Sequence, residues 1–156
     1  MRWREQVVEE LQSLAKRIAD NIARNGQTAS GRSAQSLEVR QEGDTFLLLG
    51  RKYFWTLETG RKPIGDFKPS REFVEVLYQW SQDKRIIFDD DRERWSFAYA
   101  LGRRIHKEGT LLHQQGGRKD VYSSEIPATI QGIEKRLGAL FKMEIEKNIM
   151  ENANNS

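Results

Sequence analysis

The stretch SLEVRQEGDTFLLLG, residues 36–50, breaks the rhythm of the chain around it. Leu37 and Val39 alternate with Glu38 and Arg40, the period-two pattern of a strand with one face covered. QEGDT then interrupts before the apolar run FLLLG, and a glycine-containing turn between two such runs predicts a β-hairpin. The segments on either side have mostly helical period. This stretch therefore sets the fold class as α+β: a long N-terminal helix, a small antiparallel hairpin-based sheet, two middle helices and a long C-terminal helix.

Toward the N-terminus, Val7, Leu11, Leu14, Ala15, Ile18 and Ile22 recur at steps of three and four, which predicts a helix over residues 4–23 that stops at Asn25-Gly26. The polar QTASGRSAQS between that helix and the hairpin reads as a flexible loop. Toward the C-terminus, YFWTLETGRKP, residues 53–63, mixes both periods and is read as a short helical or turn segment. Ser70 is placed to cap a helix with Phe73, Val76, Leu77 and Trp80 as its buried stripe. Asp89, Asp90 and Asp91 precede a further helix, with Trp95, Ala98, Leu101 and Ile105 on one face, ending at Gly109. HQQGGRK reads as a mobile loop. From Ile126, with Pro127 tolerated in the first turn, a last helix extends to about Met150. The expected organisation is a single domain over residues 1–150 and a polar tail over 151–156.

Composition removes many functions. The chain of 156 residues has no cysteine, which excludes disulfides, zinc-thiolate sites, iron-sulfur clusters and thiol nucleophiles. Its N-terminal segment is charged from the second residue and lacks the apolar run of a secretory signal, so an intracellular or packaged protein is expected. His106 and His113, the two histidines, show no metal-ligand spacing. The aspartate run lacks the calcium-loop pattern and reads as a helix cap. Ser30 and Ser33 sit in no nucleophile elbow, and no glycine-rich stretch carries a Walker A lysine or a dinucleotide fingerprint. No catalytic, cofactor or metal-binding residue is expected, nor a membrane partner. A nuclease or hydrolase built on Asp89 to Asp91 is the least favoured reading.

One constellation invites a binding role. Arg51, Lys52, Arg61, Lys62, Lys68 and Arg71 crowd a region that holds Tyr53, Phe54 and Trp55. Cations interleaved with aromatics hold single-stranded nucleic acid, so a small basic nucleic-acid-binding module is one reading. A small core also needs those aromatics, and that is the favoured reading of them.

Taken in order, ASGRSAQSLEV, the hairpin and YFWTLETGRKP resemble the small tail-completion and head-tail joining proteins of long-tailed bacteriophages. In that pattern Gly31, Ser36, Tyr53, Glu58 and Gly60 take the family's positions, and Arg61-Lys62-Pro63 continues as a basic loop. FVEVLYQWSQDKRI and SFAYALGRRIHKEGT resemble the family's downstream helices, so the resemblance spans roughly residues 26–110. Thr59 stands where relatives carry an aromatic or apolar residue, the Gly-Thr order is reversed to Thr59-Gly60, and DDDRER is an insertion.

The resemblance implies a non-enzymatic structural subunit, made in the host bacterial cytoplasm, that forms a ring at the neck or tail end of the virion. Its partners would be its own copies and neighbouring connector, portal-adaptor or tail-tube proteins, with non-specific DNA contact in the channel. The interface residues expected on this reading are Tyr53, Trp55, Glu58, Gly60, Arg61 and Lys62, with Gly109, Arg118 and Lys119 from the glycine-rich loop. Glu58 is further expected to pin a sharp chain reversal by accepting hydrogen bonds from the backbone amides that follow it or from a neighbouring arginine, with the aromatics anchoring the reversal to the core.

Overall fold

A computed structural model describes residues 2–154. Helix α1 (Arg2–Arg24) is followed by a one-turn α2 (Arg32–Gln35), the hairpin β1 (Glu38–Glu42) and β2 (Thr45–Leu49), and a one-turn α3 (Thr56–Thr59). Helices α4 (Arg71–Asp83) and α5 (Asp91–Glu108), a one-turn α6 (Leu111–Gln114) and the long α7 (Ile126–Asn154) complete the chain. The α+β reading therefore holds in its order and kinds of element. No helix among the described residues is long and apolar enough to cross a membrane.

The hairpin closes through Gly43 and Asp44, with Glu42 opposite Thr45 and Val39 opposite Leu48. Gly43 takes φ 63°, the left-handed geometry a tight hairpin loop requires. Because side chains alternate along a strand, Phe46 and Leu48 share a face. Leu48 packs on the cluster formed by Leu14, Ile18, Ile22 and Val121, and the Phe46 ring meets Trp3 edge-on at 5.9 Å. Leu37, Phe54, Leu57 and Tyr122 close that core from the other sides.

A second core lies between α4 and α5, around Val74, Leu77, Ala98 and Ile105. Ser70 caps α4, its side chain accepting from the Phe73 amide at 3.2 Å. Asp90 caps α5 by accepting from the Glu93 amide at 2.7 Å, and Glu93 reaches back to the Asp89 amide at 2.8 Å. Asp91 accepts from the Tyr78 hydroxyl. The aspartate run thus serves helix initiation and the α4/α5 contact.

Four expectations need correction. QTASGRSAQS contains α2 rather than only loop, ordered where the Ser36 hydroxyl bonds the Ser33 carbonyl and accepts from the Arg51 amide. The buried stripe of α4 is Val74, Leu77 and Ser81, while Val76 is 61% exposed. The buried Ser81 hydroxyl donates to the Tyr78 carbonyl and accepts from Arg94, so a polar residue occupies a core position. HQQGGRK folds into α6 and a fixed turn, described below. Residues 151–154 of the expected tail continue α7, and 155–156 lie outside the described residues.

Helix α7 packs antiparallel on α1. Arg17 reaches Glu125 at 2.9 Å and Thr129 at 2.6 Å near one end. Arg136 reaches Glu10 at 2.8 Å and Glu9 at 3.2 Å near the other. Gly132 faces the Glu10 carboxylate, from which a Cβ there would lie 3.1 Å. Continued at equal rise, this register brings α7 level with Arg2, the first residue of α1, at about residue 144. The last ten or so residues of α7 therefore extend about 15 Å beyond α1.

Candidate functional site

Glu58 sits on α3 and is buried, 4% exposed. One carboxylate oxygen accepts three successive main-chain N–H groups, from Val121 at 3.1 Å and from Tyr122 and Ser123 at 2.8 Å each. The other accepts the Ser123 hydroxyl. Burial alone would push this carboxyl up, but the hydrogen bonds from Ser123, Tyr122 and Val121 outweigh it and hold the group below the ordinary glutamate range. Its acceptor capacity is spent on the fold. A carboxylate satisfied in this way is a structural tie, and its chemistry offers no proton to a substrate.

The same segment is fastened elsewhere. The Arg118 amide donates to the Glu58 carbonyl at 2.8 Å, and the Arg118 guanidinium grips Asp120 at 2.6 and 2.8 Å. That hydrogen bond holds the Asp120 carboxyl below its usual value. Asn21 donates to the Val121 carbonyl at 3.0 Å and to Glu125 at 3.1 Å, so α1 and the entry to α7 share the tie. Gly117 takes φ 78° and lies so close to α3 that a Cβ would stand 2.7 Å from the Glu58 carbonyl oxygen. Gly117 of HQQGGRK thus permits a close approach, where composition alone suggested mobility.

A second strap joins the two cores. The Arg61 amide donates to the Thr110 hydroxyl at 2.9 Å, and the Thr110 amide donates to the Arg61 carbonyl at 3.0 Å. Gly60 (φ 67°, ψ −175°) and Gly109 (φ 78°, ψ 177°) flank this bridge in a conformation essentially restricted to glycine. A Cβ on Gly60 would meet the His113 nitrogen and the Thr110 oxygen at 2.5 Å. His106, buried against Phe73 with ring centroids 5.2 Å apart, donates from Nδ1 to the Phe67 carbonyl, the partner that fixes its tautomer.

The expected interface residues therefore separate into two groups. Glu58, Gly60 and Gly109 are buried inside this framework and do not reach the surface as contact residues. Glu58 accepts main-chain hydrogen bonds, but from residues 63 to 65 positions downstream and not from the amides that follow it or an arginine, so it ties α3 to the approach to α7 and does not pin its own reversal. Tyr53 and Trp55 remain outside, 63% and 48% exposed, with Lys62 and Lys119 exposed as well. The Lys52 ammonium lies 5.4 Å from the Tyr53 ring centre, and the Tyr122 hydroxyl donates to the Trp55 carbonyl. Arg61 stacks on Phe73 at 4.1 Å, Arg71 pairs with Glu75, and Phe54 is half-buried on the first core. The basic and aromatic cluster read from the sequence is thus dispersed over several neighbourhoods.

Sequence reasoning missed the free end of α7. Ile145, Ile149 and Met150 in the overhang, with Phe141 and Met143 in the turn that still lies beside the start of α1, are all half or more exposed. At about 100° per residue, Phe141, Ile145 and Ile149 form one row, while Met143 and Met150 lie about 150° away around the helix. The signal was present in the apolar residues past Leu140, but a stripe of that kind reads as core until a partner is seen to be lacking.

Among the described residues no three histidine, cysteine, aspartate or glutamate side chains gather as a metal site. Comparison of the chain with protein-family models, with curated proteins and with solved structures finds no match.

Proposed function

We propose that this chain is a structural subunit of a tailed-bacteriophage virion, a head-tail connector or tail-completion protein that assembles as a ring at the neck or tail end. The observation that carries the proposal is the C-terminal part of α7 from Phe141 onward, including its projecting end, with exposed apolar residues on two sides of one helix. A single docked partner would cover one row and leave the other in water. A subunit flanked by neighbours on both sides covers both, which is the situation of every member of a closed ring. The order of sequence features that resembles the phage family supplies the virion context.

Glu58 has a defined place in this reading. It fixes the start of α7 to α3, so the direction in which the free helix points is set by a buried tie. Tyr53 and Trp55 add exposed aromatic surface on the α3 side, the residue types that concentrate binding energy at interfaces. Arg118 is engaged by Asp120, and the exposed Lys119 beside it would meet acidic groups of a neighbour or face DNA in the channel.

A second reading, a nucleic-acid-binding module, is favoured by Arg51, Lys52, Tyr53 and Trp55 being exposed within one short turn. It requires affinity that falls steeply with salt, because phosphate contacts release counterions. Electron microscopy of the purified protein separates the two. Closed rings of one subunit number support the connector reading. Particles that form only with added nucleic acid favour the second.

A further inference from the structure

The hairpin has two open edges. Its two-residue loop makes Glu42 with Thr45, Arg40 with Leu47 and Glu38 with Leu49 the pairs that exchange hydrogen bonds within the chain. The main-chain N–H and C=O groups of the residues between them, Val39 and Gln41 on β1 and Phe46 and Leu48 on β2, therefore point away from the partner strand. Among the described residues the sheet has no third strand, and none of these groups has a hydrogen-bond partner. We infer that β2 of one copy pairs along its open edge, antiparallel, with β1 of the next, so that the hairpins of the assembled subunits form one continuous sheet. The inference rests on the reading of the protein as a self-assembling subunit and names the surfaces that meet.

Edges that stay in water are commonly guarded by charge, proline or a bulge. β1 has such a guard in Glu38, Arg40 and Glu42. β2, with the sequence TFLLL, has none, and its register with β1 is unbroken over all five residues.

The chemistry of the edges selects among the three ways in which two copies can join. β1 against β1, in the register that satisfies every outward group, sets Arg40 opposite Arg40 and Glu38 opposite Glu42, and like charges directly opposite destabilise a sheet. β2 against β2 meets no such conflict, but it leaves both β1 edges open and ends at a pair. β1 against β2 repeats between copies the partners already matched within the chain. Gln41 and Phe46, and Val39 and Leu48, then exchange the hydrogen bonds that neither makes inside its own hairpin, and both edges of every subunit are used. Copies related by a rotation carry β1 in the same sense, so β2 meets the next β1 antiparallel and the contact is heterologous, as closure of a ring requires. A pair of five-residue strands is small against the roughly 800 Å² per partner of a standard interface, so an isolated contact is weak and closure makes it persist.

The absence of native cysteine makes the test direct. A tagged Arg40→Cys chain and an untagged Leu47→Cys chain are mixed and mildly oxidised, and with one thiol in each chain any disulfide joins two copies. Residues that face each other between hydrogen-bonded pairs lie about 4.5 Å apart at Cα, within disulfide reach. The expected product is the tagged-untagged pair, in excess over both self-pairs. Adding Gln41→Pro to the tagged chain should reduce it at least about ten-fold, since proline removes an outward N–H that the hairpin itself does not use. Hydrogen exchange of the unaltered protein gives a second reading: the Val39, Gln41, Phe46 and Leu48 amides exchange fast in dilute protein and become protected where it assembles. Absence of the mixed pair, Leu47→Cys joined chiefly to itself, or assembly that leaves those amides unprotected overturns the inference. Rings without the mixed pair would refute the sheet contact and leave the ring reading standing. The mixed pair in open chains that never close would uphold the contact and count against the ring.

Discussion

Glu58 and Ser123 are joined twice, through the Ser123 main-chain N–H at 2.8 Å and through its hydroxyl, and with Val121 and Tyr122 they hold one buried carboxylate. Removing the acceptor leaves three N–H groups without a partner, and buried donors of that kind cost about 1–3 kcal/mol each. Glu58→Ala should destabilise the fold by about 3 kcal/mol or more in urea unfolding. Glu58→Gln, which keeps an acceptor oxygen but loses the charge, should cost roughly half as much.

The same tie predicts an acid-sensitive fold. Glu58 and Glu125 are both held below the ordinary glutamate range. Hydrogen bonds outweigh burial at Glu58, and the Asn21 hydrogen bond leads at Glu125. A depressed folded-state value contributes stability that is fully present above the unfolded-state value of about 4.3 and is lost as pH falls through the lower folded values. Stability measured in urea should fall from about pH 4.5 downward, and Glu58→Gln should fall less steeply over that window.

Two glycines should answer oppositely to alanine. Gly60→Ala puts a Cβ 2.5 Å from main-chain and side-chain atoms in a glycine-only conformation, and should destabilise by about 2 kcal/mol or more. Gly138→Ala lies in the α7 helix with nothing within 4 Å of the new Cβ, and should stabilise by up to about 1 kcal/mol. Thermal unfolding of the two variants checks the pair. Equal effects would contradict the geometry.

Tyr53→Ala and Trp55→Ala should change folding stability by less than about 1 kcal/mol, because both side chains are half or more exposed. Their effect should appear in assembly, as a lower yield of multi-subunit particles by sedimentation. Unchanged assembly in both would remove the α3 turn from the interface.

The elements legible in the sequence are those whose signal is local. Leu37 and Val39 announced the hairpin by period, and Ser70, Asp90 and Gly109 marked helix ends through chemistry that acts within one turn. Val74 was missed for Val76 because the true buried face includes Ser81, whose hydroxyl is satisfied by Tyr78 and Arg94 and gives no apolar signal. Glu58 was noticed through its aromatic neighbours, but its partners lie in a segment more than sixty residues away, and no local pattern encodes that pairing. The HQQGGRK turn looked mobile because glycine content is the same whether glycine supplies freedom or closeness. The free end of α7 was hidden because an apolar stripe does not disclose whether its partner is in the same chain.

The central claim is self-assembly, and light scattering of the purified protein tests it most directly, over a range of concentrations, at low and high salt, with and without short single-stranded and duplex DNA. The account predicts a mass that rises with protein concentration to one multi-subunit species and is indifferent to DNA. A chain that stays monomeric alone and forms a tight complex with DNA that dissolves as salt is raised would contradict it.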